Sequence, residues 1–416
     1  MLKRLFLAVF VVAGFMLPVS AEKVVLQYWA SVTHPTREWW RDKMIEAFNN
    51  LYPNIEVQIL RIPFAEYFTK LAAAFAAGTG PDVFEVDCTM TPRYVWDGVL
   101  VDLTPYFENE LADFLEASLA EGMVNGRLYA VPLLQSSQAI FYNKKMFEEL
   151  GLQPPTDPDE AWTWEQVVEV AKKLTKDLDG DGEPDIWGII VEKPDRLDQI
   201  NPLLESKGAT LISPDGTTVM GYLNSAPAIE ALAFYGKWYN EWKISPKIST
   251  KDLFGMGKAA MMWAGPWNIR WLIETYPDLE WGVMPHPYFE GGRKVTPCGA
   301  WHLGVYSRSS HIFEAIRFVG FMSDWSAADL NYEITNYLPA RKSVYTLYRI
   351  FDIYPMNIFA KQLFTTASPR PRTPAYLEYE EILREAYRNV INGADAAAEL
   401  NRAAMLIEKA LKRYTR

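Results

Sequence analysis

The chain has 416 residues, of which 52 are acidic and 41 basic, for a formal net charge of −11. An acidic balance of this size argues against nucleic acid and anionic membrane surfaces as partners. The two cysteines, Cys88 and Cys298, allow one disulfide in an oxidising compartment; the alternative is a pair of buried, reduced thiols.

Lys3 and Arg4 precede an apolar run from Leu5 to Leu17, and Val19-Ser20-Ala21 has the small residues of a cleavage site. Residues 1–21 are therefore expected to form a signal peptide, with Glu22 opening a mature chain exported to the periplasm. The 13-residue run is short for a bilayer span, and no cysteine adjoins the cleavage site to carry a lipid. A retained membrane anchor is the competing reading. No later segment has 18 uncharged apolar residues, so the mature protein is expected to be soluble. It would keep 39 basic and 52 acidic residues once Lys3 and Arg4 are lost, a net charge of −13. Its 395 residues exceed what one core usually serves, which predicts two lobes.

Val24 to Trp29 is a β-branched and aromatic run suited to a first strand. Arg37 to Leu51 places Trp40, Met44, Phe48 and Leu51 at helical spacing, and Pro53 follows. Ile55, Val57 and Ile59 alternate as a strand. Phe64 to Ala77 reads as a helix closed by Gly78, and Val83 to Asp87 as the next strand. This βαβαβ order predicts a parallel sheet with right-handed crossovers. Further strands are expected at 127–133, 139–142, 186–191 and 281–284. Helices are expected at 144–150, from the capping box Thr163-x-x-Gln166 to about Leu174, and at 226–242. From Leu377 onward the pattern is two helices broken at Asn392-Gly393. No Ser/Gly-rich linker is present, so strands crossing between the lobes are expected to join them.

Ligands of parallel α/β sheets bind beyond the carboxyl ends of the strands, where Asp87 stands. Its carboxylate could accept hydrogen bonds from ligand hydroxyls or cap the turn after Cys88. Catalytic motifs are missing: there is no His-Glu-x-x-His, Gly-x-Ser-x-Gly, phosphate-binding Gly-x-x-x-x-Gly-Lys or Gly-x-Gly-x-x-Gly. The four histidines, at 34, 286, 302 and 311, are not spaced as metal ligands. Aromatic residues are plentiful, with 15 Trp, 22 Tyr and 21 Phe. Trp267, in Ala264-Gly-Pro-Trp-Asn268, and Trp301, in Cys298-Gly-Ala-Trp-His302, sit beside Gly and Pro. A flat ring there can support the apolar face of a sugar; the alternative is a core indole with its N–H satisfied. Asp177, Asp179 and Asp181, with Asp185 nearby, match the first half of a calcium loop, but Gly188 stands where the bidentate Glu belongs. A structural Ca2+ and a plain polar turn are both compatible with that half-match.

Eleven short segments, in order, resemble the family 1 extracellular solute-binding proteins of bacterial ABC importers, the maltose- and trehalose-binding type. The first six are Val25-Leu-Gln-Tyr-Trp29, Phe48-Asn-Asn-Leu-Tyr-Pro-Asn-Ile-Glu-Val57, Ala77-Gly-Thr-Gly-Pro-Asp-Val-Phe84, Gly98-Val-Leu-Val-Asp-Leu-Thr-Pro105, Gly126-Arg-Leu-Tyr-Ala-Val-Pro132 and Phe141-Tyr-Asn-Lys144. The others are Thr163-Trp-Glu165, Gly265-Pro-Trp267, Trp281-Gly-Val-Met-Pro285, Gly299-Ala-Trp301 and Pro369-Arg-Pro371. The resemblance implies a two-lobed periplasmic-binding-protein fold, each lobe a mainly parallel sheet flanked by helices. It implies a first lobe of 22–132 and 285–322 and a second of 133–284 and 323–416. It implies a monomer that is not an enzyme, binding a sugar, oligosaccharide or polyol in the cleft for a membrane permease. Asp87, Arg61, Trp267, Trp301, Arg370, Gln135, Ser136 and Asn268 are the implied ligand contacts. Many relatives carry an acid just after the motif matching Val131-Pro-Leu-Leu134, whereas Gln135-Ser136-Ser137 stands here, so the sugar pattern should differ. A phosphorylated polyol such as glycerol 3-phosphate, held by Arg61 and Arg370, and a secreted carbohydrate-active enzyme using an Asp/Glu pair remain the alternatives.

Overall fold

The structure is a computed structural model that describes residues 23–32 and 35–414. The expected signal peptide, residues 1–21, lies outside the described residues, as does His34. Strand β1 (Val24–Val32), helix α1 (Pro35–Leu51), β2 (Ile55–Pro63), α2 (Phe64–Ala77) and β3 (Val83–Asp87) follow the anticipated order. β1 pairs in parallel with β2 on one side and β3 on the other. Gly78, at φ 71°, caps α2.

The sheet continues from β3 through Trp301–Val305 and Val131–Gln135 to Leu338–Pro339. These added strands pair antiparallel, so the parallel arrangement is confined to β2-β1-β3. A second, four-stranded sheet has the order 281–284, 139–143, 261–264, 190–191. Its only parallel pair is Ile190–Val191 with Met262 and Trp263. The chain passes between the sheets at 136–138, at 285–300 and after Pro339. Strands that come back from the other lobe need no helical crossover and can return antiparallel.

Strand alternation sorts each sheet's side chains onto two cores. In the second sheet Ile140, Met261 and Trp263 face a core shared with the helices Ala226–Asn240, Tyr376–Ile391 and Ala396–Leu411. Phe141, Met262 and Ala264 face the opposite core, with Phe359 and Leu363. In the first sheet Val83 joins Leu26, Tyr28 and Phe48, while Phe84 and Val86 face Tyr67, Leu71 and Tyr94. Glu85, fully buried, anchors α1: its Oε1 accepts from Arg37 Nη2 at 2.8 Å, from Arg41 Nη2 at 2.7 Å and from Tyr28 Oη at 3.1 Å. Burial alone would raise the Glu85 pKa, but the two guanidinium groups outweigh it and hold the carboxyl below its usual range.

One boundary is corrected. Residues 323–339, assigned above to the second lobe, belong with the first. Trp40 Nε1 on α1 donates to Ala327 O at 3.1 Å, and Ala327 and Ile334 share the core of Leu26 and Phe48. Leu338–Pro339 then supplies the last strand of the first sheet. The capping box is as anticipated: Thr163 Oγ1 accepts from Gln166 N at 3.2 Å and opens the helix Trp164–Leu174. The strand expected at 186–191 shrinks to Ile190–Val191. Among the described residues, no helix is long and apolar enough to cross a membrane.

Candidate ligand-binding cleft

A cleft of about 420 Å³ opens between the two sheets, within the usual size range of small-molecule pockets. The first lobe contributes Asp87, Phe64, Trp301 and Tyr337. The second contributes Glu192, Lys193, Arg196, Asp198, Lys251 and Trp267. The crossing segments add Ser136, Gln138, Cys298 and Gly299, and Arg370 closes one side.

Asp87 caps the turn and also lines the cleft. Its Oδ1 accepts from Thr89 N at 3.3 Å, capping the turn after β3, and from Arg370 Nη2 at 2.7 Å inside the cleft. Trp301 stands directly across from Asp87 in the antiparallel register. Its ring is met edge-on by Phe64 and Tyr67, and the Arg37 guanidinium lies 5.0 Å from its centroid. Arg370 is placed by the short ribbon in which Thr296–Pro297 pairs with Ala367–Ser368. Burial is the largest single influence and would depress its pKa, but Asp87, Cys88, Tyr376 and Asp198 together raise it, so it stays charged.

Trp267 faces the cleft from the second lobe. Its Nε1 donates to both carboxylate oxygens of Glu192, at 3.0 and 3.1 Å. A Cβ on Gly265 would lie 2.0 Å from the Trp267 ring, so the Gly-Pro-Trp segment needs glycine for the ring to fold back on it. Arg196 pairs with Asp198 at 3.3 Å and with Glu380 at 3.2 Å, and Gln138 Nε2 donates to Asp198 Oδ2 at 3.2 Å. Burial would raise the Asp198 pKa, but Arg196, Arg370 and Lys193 pull it below the usual carboxylate range. The cleft therefore holds two indoles amid carboxylates and guanidiniums.

Ser136 lines the cleft, its Oγ donating to Gly299 O at 2.9 Å. Three of the expected contacts lie elsewhere. Gln135 is fully buried under the crossing segments. Its Oε1 accepts from Ser136 N and Gly299 N, both at 2.9 Å, and its Nε2 donates to Ser118 and Glu121. Every polar position of that amide is spent within the protein, on the helix Glu116–Gly122 and on backbone of the crossing segments. Asn268 is also buried, behind the wall, bridging Glu192 and Lys251. Arg61 is at the sheet edge, where it pairs with Glu38 at 2.9 Å and with Asp42. A phosphate-binding arginine pair of Arg61 and Arg370 is thus not assembled. Glu192, Lys193, Arg196, Asp198 and Lys251 escaped the sequence reading, since they follow weak strands or lie in turns and carry no motif.

Cys88 and Cys298 are free and buried. Arg370 Nη2 lies 3.0 Å from Cys88 Sγ, and Cys298 Sγ lies 3.7 Å from Glu121 Oε1. Desolvation pushes both thiols up, so they are held neutral. In the acidic turn, ligand oxygens of Asp177, Asp179 and Asp185 lie within 4.8 Å of one another, all exposed, and Asp181 is not among them. Asp177 accepts from Gly180 N at 2.7 Å and Gly182 N at 2.9 Å, and Asp181 from Glu183 N at 2.8 Å. A Cβ on Gly188 would lie 2.2 Å from Ala171 O, so no side chain can replace the missing calcium-loop glutamate there.

The family model for bacterial extracellular solute-binding proteins matches residues 33–324. The chain belongs to that family. Among solved structures, this solute-binding protein superposes on an ABC substrate-binding protein from Listeria monocytogenes in complex with cycloalternan, with TM-score 0.81, 24% identity, and coverage of 94% of this chain and 99% of the other. A solute-binding protein of Thermotoga lettingae bound with alpha-D-tagatose gives 0.81 at 22% identity, covering 93% and 100%. The galactooligosaccharide-binding protein of Bacillus subtilis is 23% identical over 88% of this chain and 87% of its own length. These likenesses show the two-lobed fold of the family.

Proposed function

We propose that this solute-binding protein captures a sugar, oligosaccharide or polyol in the interlobe cleft and hands it intact to the membrane permease of an ABC importer. The observation that carries the reading is the facing of Trp301 and Asp87 on one lobe by Trp267, Glu192 and Asp198 on the other. Indole faces suit the C–H face of a sugar ring, and ionised carboxylates and guanidiniums satisfy its hydroxyls through charge-assisted hydrogen bonds. The sugars in the relatives' names support the same ligand class. A ligand touching both lobes favours the closed form, and a shift from mostly open to mostly closed requires about 5.5 kcal/mol of differential affinity. The three crossing segments are the natural hinge.

The test is mass spectrometry of material released on denaturing the freshly purified protein, followed by tryptophan fluorescence titration with it. An intact sugar or polyol that rebinds supports the reading. A ligand degraded on incubation would favour the secreted enzyme instead.

A further inference from the structure

The cations lining the cleft, Lys193, Arg196, Lys251 and Arg370, outnumber its lining carboxylates, Asp87, Glu192 and Asp198, by one. Asp87 is matched by Arg370 at 2.7 Å, and Arg196 lies between Asp198 and Glu380. Around Trp267 remain two ammonium groups, Lys193 and Lys251, and one carboxylate, Glu192. Glu192 is already engaged by neutral donors: the Trp267 indole and Asn268 Nδ2 at 3.1 Å. Among the described residues neither lysine has a carboxylate oxygen within 4.0 Å. Lys193 Nζ lies 6.0 Å from the Trp267 ring centroid. Lys251 Nζ lies 4.1 Å from the Trp271 centroid and donates to Asn268 Oδ1 at 3.3 Å, which fixes its direction. Burial lowers the Lys251 pKa, as expected of a partly dehydrated cation lacking an ion-pair partner. All of this occurs in a chain of net charge −11, where a surplus of positive charge beside Trp267 runs against the overall balance.

We propose that the ligand is an acidic sugar, whose ring lies on Trp267 and whose carboxylate is received by Lys193 and Lys251. The proposal rests on the sugar-binding reading above and narrows it. A uronate brings one negative charge, which matches the surplus of one positive charge on this side of the cleft. A phosphate monoester brings up to two at neutral pH, and the arginines of the cleft, Arg196 and Arg370, are already paired with Asp198, Glu380 and Asp87.

Tryptophan fluorescence titrations of the purified protein would compare D-glucuronate, D-galacturonate and their disaccharides with the neutral glucose and galactose counterparts and with glucose 6-phosphate. Each would be run at low and high salt. The expected result is affinity at least about tenfold higher for the uronates, weakened by salt, with the uronate-to-neutral ratio falling toward one in Lys193→Gln and Lys251→Gln. Lys193 is exposed, so its variant reads the ratio even if Lys251→Gln fails to fold. Neutral sugars binding as tightly as uronates, or a preference that survives both substitutions, would overturn the acidic-sugar proposal and leave sugar binding standing. Preference for glucose 6-phosphate would replace the carboxylate by a phosphate and equally overturn it. Binding of none of these probes, with a non-sugar in the released material, would remove both readings.

Discussion

Asp87 and Arg61 show how much a side chain's neighbours decide. Both lie in strands of the same parallel unit, yet only Asp87 lines the cleft. Asp87→Ala removes a cleft-lining carboxylate and strips the mostly buried Arg370 of its ion-pair partner. Binding of the released ligand should weaken by about 1.5–3 kcal/mol, roughly tenfold or more, in a fluorescence titration. Arg61→Ala should leave that affinity within about twofold, because its pairs with Glu38 and Asp42 lie at the partly exposed sheet edge, where such pairs contribute about 0–1 kcal/mol of stability. A large affinity loss in Arg61→Ala would put the cleft in the wrong place.

At the scale of elements, the contact between the helix Trp164–Leu174 and the segment leading into Ile190–Val191 depends on Gly188. With the helix carbonyl of Ala171 only 2.2 Å from where a Cβ would stand, backbone has to move to admit any side chain. Gly188→Ala should lower stability by about 1–3 kcal/mol, read as a shift in the urea midpoint at unchanged slope. The acidic turn at 177–185 lies just before this contact. An unchanged midpoint would mean that the strand and helix are less closely apposed than the structure places them.

For the whole molecule, two expectations concern stability. His302 lies fully buried beneath the cleft, its Nε2 2.9 Å from Ser118 O, and desolvation lowers its pKa from 6.5 to about 4. Between these values the unfolded chain holds the proton and the folded chain does not. Stability from this group is therefore complete above pH 6.5 and is lost as pH falls toward 4. His302→Gln should flatten that part of the Tm-against-pH curve; an unaltered curve would show that His302 does not carry the acid sensitivity. The second expectation is ligand linkage. At a hundredfold excess over Kd the ligand should add about 2.7 kcal/mol to the unfolding free energy, seen as a rise in Tm, if it binds the folded form alone. No rise would mean that the released material is not the cleft ligand.

Much of the secondary structure was legible in the amino-acid sequence because it depends on neighbours a few residues away. The periodicity of α1 and α2, the Thr163–Gln166 capping box and the β1-to-β3 pattern are all local. The family resemblance in ordered segments likewise pointed to two lobes. The assignment of 323–339 was not local: Trp40 must meet Ala327 across 287 positions before that helix declares its lobe. The cleft is similar, since Asp87, Glu192, Lys251, Trp267, Trp301 and Arg370 converge only after the chain has crossed between the sheets three times. Tertiary structure also decided which polar residues were left for a ligand. Gln135 and Asn268 look like ligand contacts in sequence, but burial obliges their amides to bond within the protein. Arg61 lies in a strand that the sheet order places at the edge. Sequence determined the elements and the class of molecule; burial and strand order determined which charges face the cleft.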